Sequence, residues 1–143
     1  VSRLVPVPTW HRAYVRSHWV GLSVAFGVCI SGLIALFAPE AVEQSAAAVV
    51  LPRWVVILLN LTWTIGGGAA TVGMLRGNRQ LHVPGMSLIG GGLLAYYSAI
   101  VALRPDAALQ VCFIAILGVG CLLHAIFLGL HGYSGTERGF RQR

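Results

Sequence analysis

The sequence predicts an all-α integral membrane protein, a four-transmembrane-helix bundle with short loops and both termini in the cytoplasm. Three observations carry that expectation. Of 143 residues, 57% are apolar and only 10% charged, and the mean hydropathy is +0.79, whereas soluble domains carry about 25% charged residues. Four apolar runs, at 19–38, 54–75, 86–103 and 109–130, come close to the roughly 20 residues needed to cross a hydrocarbon core. The arginines, finally, are distributed unevenly among the segments that join these runs. Three parts follow: a tail with an interfacial segment (1–18), the four-helix domain (19–130) and a basic tail (131–143).

The N-terminal tail opens on Val1, which fits a trimmed methionine or a GTG start, and does not read as a cleavable signal peptide. Pro6 and Pro8 keep it extended, and Thr9 offers an N-cap for a short helix over 10–18. On that helix Trp10, Tyr14 and His18 share one side, and Arg12 and Arg16 another. The pattern suits a helix at headgroup level or a plain aromatic and basic flank to the first span; Trp19 joins it at the interface.

The first span carries Ser23, Gly27, Ser31 and Ala35 at spacing four, with a second small pair, Gly21 and Ala25, beside them. Pro39 ends it, and 39–50 has the composition of a short surface helix. The second span holds Asn60, Thr62, Trp63 and Thr64, then Gly66-Gly67-Gly68. In water each glycine would cost a helix about 1 kcal/mol relative to alanine. In a bilayer the helix persists, because its backbone has no other partner, and glycines become points of close approach. Thr62, Gly66 and Ala70 form one small stripe. Arg76, Asn78, Arg79 and His82 then read as a tight basic turn, with Pro84 and Gly85 opening the third span.

That third span shows the ladder Ser87, Gly91, Ala95 and Ala99, and a second glycine triplet, Gly90-Gly91-Gly92. Arg104-Pro105-Asp106 closes it as a short hairpin. The fourth span places Cys121, Ala125 and Gly129 at spacing four and contains one ionisable side chain, His124. Small-xxx-small ladders in every span predict close helix packing, with surface left for oligomerisation or a partner.

All ten basic residues are Arg, and eight of them (Arg3, Arg12, Arg16, Arg76, Arg79, Arg138, Arg141, Arg143) lie in the two tails and the 76–82 turn. Only Arg53 and Arg104 lie on the other side. The positive-inside rule therefore places both termini in the cytoplasm. Arg12, Arg16, Arg76 and Arg79, with Trp10 and Trp19, are the expected lipid-headgroup contacts. The net charge of +6 is thus a topology signal, and no nucleic-acid partner is expected.

No Asp, Glu, Arg or Lys interrupts a span. That argues against carboxylate relays and ion-coupled transport, which place such residues at membrane depth. No catalytic residues, metal ligands or cofactor are expected. Bis-histidine haem through His124 would need a second histidine at equal depth, and His18 or His131 matches it only loosely. Cys29, Cys112 and Cys121 form no C-x-x-C pair and read as small apolar helix residues. Asn60 fixes helix register by hydrogen bonding or, with Thr64, Gly67 and Thr71, lines a polar seam in an oligomer; His124 is the other polar position. If the seam conducts, Asn60→Leu lowers permeability without blocking insertion.

Short length, four spans, Arg-only basicity and the tail Glu137-Arg138-Gly139-Phe140-Arg141-Gln142-Arg143 together resemble small membrane proteins of phages of high-GC actinobacteria, including holin-like proteins of lysis cassettes. The resemblance is architectural, spans the whole chain and transfers no functional residue. It implies a non-enzymatic, self-associating protein of a bacterial cytoplasmic membrane that permeabilises the bilayer. An accessory subunit packed against a larger membrane complex is the rival expectation, and a small channel or carrier a third.

Overall fold

In a computed structural model the chain is described at residues 19–38, 40 and 51–131. The expected helices over 10–18 and 39–50 (Glu40 apart) and the tail from 132 onward, with Trp10, Arg12 and Arg16, lie outside the described residues. Those residues form four long helices, α1 (Trp19–Phe37), α2 (Arg53–Arg76), α3 (Arg79–Leu103) and α4 (Ala108–His131). A short 3-10 turn, Pro105–Ala107, precedes α4. Each helix is long and apolar enough to cross a membrane, α4 over Val111–Leu130.

Small residues make up much of the interior, beside Met74, Met86, Ile89 and Ile100, and many of the large apolar side chains lie outside. Ala25, Ala70, Cys121 and Ala125 are buried, while Phe26, Ile65, Phe113, Ile116 and Phe127 are exposed. This is the pattern of helices whose association comes from close contact rather than from burying bulky side chains away from water. The core is a thin seam in which Ala25, Ala70, Met74, Met86, Ile89, Leu93, Cys121 and Ala125 join all four helices.

Extensive packing runs in chain order, α1 on α2, α2 on α3 and α3 on α4, while α1 touches α3 only slightly. The bundle is therefore a row in which the two middle helices each have two neighbours. The glycine triplets sit on those two helices. A Cβ added at Gly66 would fall 2.9 Å from Leu88 Cβ of α3, and one at Gly67 would fall 2.6 Å from the Ala25 carbonyl oxygen of α1. On α3, a Cβ at Gly90 would lie 2.8 Å from the Gly118 carbonyl oxygen of α4, and one at Gly92 would lie 2.8 Å from Trp63 Nε1 of α2. Neighbouring residues step about 100° around a helix, so a glycine run thins two sides at once.

The α2–α3 connection is tighter than expected. Gly77 adopts the left-handed conformation at φ 63°. Its N–H and that of Asn78 donate to the carbonyls of Met74 and Gly73, closing α2. Asn78 Oδ1 accepts from the Gln80 N–H at 3.0 Å and so caps α3. The third helix thus begins at Arg79, not near Met86, and Pro84 lies inside it. A proline there removes the hydrogen bond to the Gln80 carbonyl. The helix is held through this point because Gly85 sits directly on the Ala70 backbone of α2. His82 is consequently helical and fully buried instead of lying in a loop.

At the opposite end, the Arg104 guanidinium donates to both Asp106 oxygens, at 3.3 and 3.0 Å. The pairing holds the Asp106 carboxyl below its usual range. Both side chains are more than half exposed, so the pair shapes the hairpin and adds little stability.

Candidate functional site

The residues expected to mediate packing divide into two sets. Gly66 and Ala70 are buried against α3, where Gly85 and Ile89 meet them. Cys121 and Ala125 are buried at the α3–α4 side of the core. By contrast, Ser23, Gly27 and Ser31 are exposed on α1, and nothing lies within 4 Å of a Cβ built at Gly27. The Ser23 hydroxyl donates to the Trp19 carbonyl of its own helix. Gly91 and Ala95 are likewise exposed on α3, with Ser87 and Ala99 half-buried beside them.

On α1 the packing surface is the neighbouring stripe Gly21, Ala25 and Gly32. A Cβ at Gly32 would collide with the Thr64 hydroxyl and lie 2.8 Å from the Asn60 carbonyl oxygen, and Gly21 faces Met74. Both stripes have helical spacing. Which one meets α2 depends on the rotation of α1, and that is set by where its backbone can approach most closely.

Asn60, Thr64, Gly67 and Thr71 do fall on one stripe of α2, at spacings of four, three and four. Within the chain that stripe is covered by α1. Thr64 Oγ1 donates to the Asn60 carbonyl at 2.8 Å, so its polarity is satisfied inside α2. Asn60 is buried, and the Thr71 hydroxyl is buried without a hydrogen-bond partner. His124 does not join them, because it lies on α4, which packs against α3.

Of the expected headgroup residues, Trp19 is exposed at the start of α1 and Arg76 at the end of α2. Arg79 has a partner within the chain. Its guanidinium donates to the Gly129 carbonyl and bridges the start of α3 to the last turns of α4. Basic side chains near a helix C-terminus satisfy carbonyls left without intrahelical donors. Arg79, Gln80, Val83, Pro84 and Gly129 line an open groove of about 450 Å³ at this end.

Beside that bridge the structure brings together two residues that the sequence kept apart. The rings of His82 and His124 lie with centroids 5.2 Å apart and planes inclined at 46°. Sequence reasoning assigned His82 to a loop and looked for a partner to His124 at positions 18 and 131. Their separations from the 104–107 turn differ, 22 residues against 17, so counting outward from the hairpin does not by itself bring them to one level. Elsewhere on α3, Trp63 and Tyr96 meet edge-on with centroids 5.6 Å apart, joining α2 to α3.

No protein-family model matches the chain, and no curated protein or solved structure is significantly similar to it.

Proposed function

We propose that the chain is a non-enzymatic, self-associating membrane protein of holin type. In this reading it inserts in a bacterial cytoplasmic membrane with both termini inside and permeabilises that membrane on accumulating. The observation that carries the proposal is the small-residue surface left uncovered by packing within the chain, Ser23, Gly27 and Ser31 on α1 and Gly91 and Ala95 on α3. Small residues allow helix backbones to approach within van der Waals contact, the main source of helix association in lipid. Two such stripes on different helices let one copy engage two others, so that assemblies grow. The charge-free interiors of the spans favour a passive role over ion-coupled transport.

Inducible expression with a membrane-potential dye tests this. Self-association supports abrupt depolarisation above a threshold of accumulated protein. Replacing both Gly27 and Gly91 by isoleucine then delays or abolishes it while leaving insertion intact. Harmless accumulation of a monomer would overturn the reading. Recovery of a stoichiometric larger membrane partner would mean that the same stripes serve an accessory subunit.

A further inference from the structure

We propose that the groove between the start of α3 and the end of α4 binds the headgroup of one anionic phospholipid, with its phosphate on Arg79 and its first chain carbons along Val83, Pro84 and Gly129. The groove measures about 450 Å³, within the roughly 300–1,000 Å³ of small-ligand sites. Its lining is divided by chemistry. Arg79 and Gln80 bring a guanidinium and a carboxamide, and Val83, Pro84 and Gly129 form an apolar wall. A free anion would use only the first part, whereas an amphiphile with a phosphate at its head uses both. The two helices are long and apolar enough to cross a membrane, and the groove lies at one end of the pair, where headgroups are found. Basic pockets between membrane helices recurrently bind anionic lipid headgroups.

Arg79 has donors to spare. One amino group reaches the Gly129 carbonyl, and the planar guanidinium carries further N–H groups in a fork suited to phosphate oxygens. Among the described residues the acids do not compete for it, since Glu40 follows α1 and Asp106 follows α3, both at the end of the row away from the groove. Arg76, exposed at the end of α2, adds positive charge at this end without lining the groove. The apolar wall continues inward, because Ile126, one turn deeper than Gly129 on the same face of α4, is exposed. A Cβ added at Gly129 would meet nothing within 4 Å, so the wall is set back where a chain would pass. Exposure alone gives any interfacial arginine a passing headgroup contact; a groove specifies one lipid per chain, shared between α3 and α4.

Native mass spectrometry of the detergent-solubilised full chain, titrated with dioleoylphosphatidylglycerol or dioleoylphosphatidylcholine, tests the site. The expected result is one phosphatidylglycerol retained per chain, preferred at least about fivefold over phosphatidylcholine, the factor that about 1 kcal/mol per basic residue at a charged surface supplies. Arg79→Gln should abolish the preference, and Arg76→Gln should leave most of it. Gly129→Leu keeps the Arg79 charge but fills the groove, and should lower phosphatidylglycerol retention several-fold. If circular dichroism shows that Arg79→Gln fails to fold, Gly129→Leu and Arg76→Gln carry the test. Equal retention of the two lipids, equal losses in the two arginine variants, or unchanged retention in Gly129→Leu would overturn the proposal. Displacement of the lipid by equimolar inorganic phosphate would also overturn it, assigning the groove to a free anion. Lipid is counted per chain in each oligomeric species, so the result stands apart from self-association.

Discussion

A hydrogen atom in place of a methyl group decides most of the contacts in this chain, and the glycines divide sharply by what a methyl would meet. At Gly67 it would fall 2.6 Å from a carbonyl oxygen and 2.7 Å from the Cys29 nitrogen, and at Gly85 it would press on the Ala70 backbone. Backbone cannot rotate away as a side-chain tip can. Gly67→Ala and Gly85→Ala are therefore expected to destabilise the folded protein by about 2 kcal/mol or more, as overpacking does elsewhere. Gly27→Ala and Gly120→Ala, which meet nothing within 4 Å, should be neutral or gain up to about 1 kcal/mol from helix propensity. Unfolding in mixed micelles measures both sets, and equal effects in the two would refute this division. None of it was legible from composition, because a glycine on a packed face and one on an open face are the same letter.

At the scale of the element, the turn between α2 and α3 joins two helices through a pair of residues with non-interchangeable roles. Gly77 supplies the left-handed backbone, and the Asn78 side chain caps the next helix. Asn78→Ala should cost about 1 kcal/mol through the lost cap. Gly77→Ala should cost a similar amount, about 1–2 kcal/mol, because a Cβ is strained at positive φ. Amide hydrogen exchange at the start of α3 reads both, and unchanged protection would count against the capping assignment. The existence of all four helices was legible in the four apolar runs. The start of α3 was not, because Pro84-Gly85 resembles a breaker in water, whereas here contact with α2 carries the helix through it. The choice of packing stripe on α1 was hidden for a related reason. Ser23, Gly27 and Ser31 repeat at spacing four and Gly21, Ala25 and Gly32 at four and seven, both helical periods, and only the shape of α2 distinguishes them.

For the whole molecule, orientation in the bilayer is the expectation most directly open to test. Single cysteines in a background lacking Cys29, Cys112 and Cys121, placed at Asn78 or at Asp106, should respond oppositely to an impermeant thiol reagent applied to intact cells. Position 106 should label and position 78 should not, until the membrane is opened. The reverse pattern would invert the topology drawn from arginine placement. The row of helices was only partly legible, since short loops predict that consecutive helices are neighbours but not that α1 and α4 stay on the flanks. The pairing of His82 with His124 belongs to this scale too, because it requires the register of two antiparallel helices.

Packing in chain order also bears on how the molecule is built. Every large interface joins helices adjacent along the chain, so closing each one restricts only the segment between two consecutive helices, and the entropic penalty grows slowly with its length. If the helices are added in chain order, α1, which Gly67 meets, precedes α2. Gly66, on its other side, awaits α3. The same holds one step later for Gly92 and Gly90. Each triplet therefore acts as a two-sided coupling, with one side engaged at once and the other ready for the next arrival, and the molecule can be assembled from its first helix to its last without any helix being revisited.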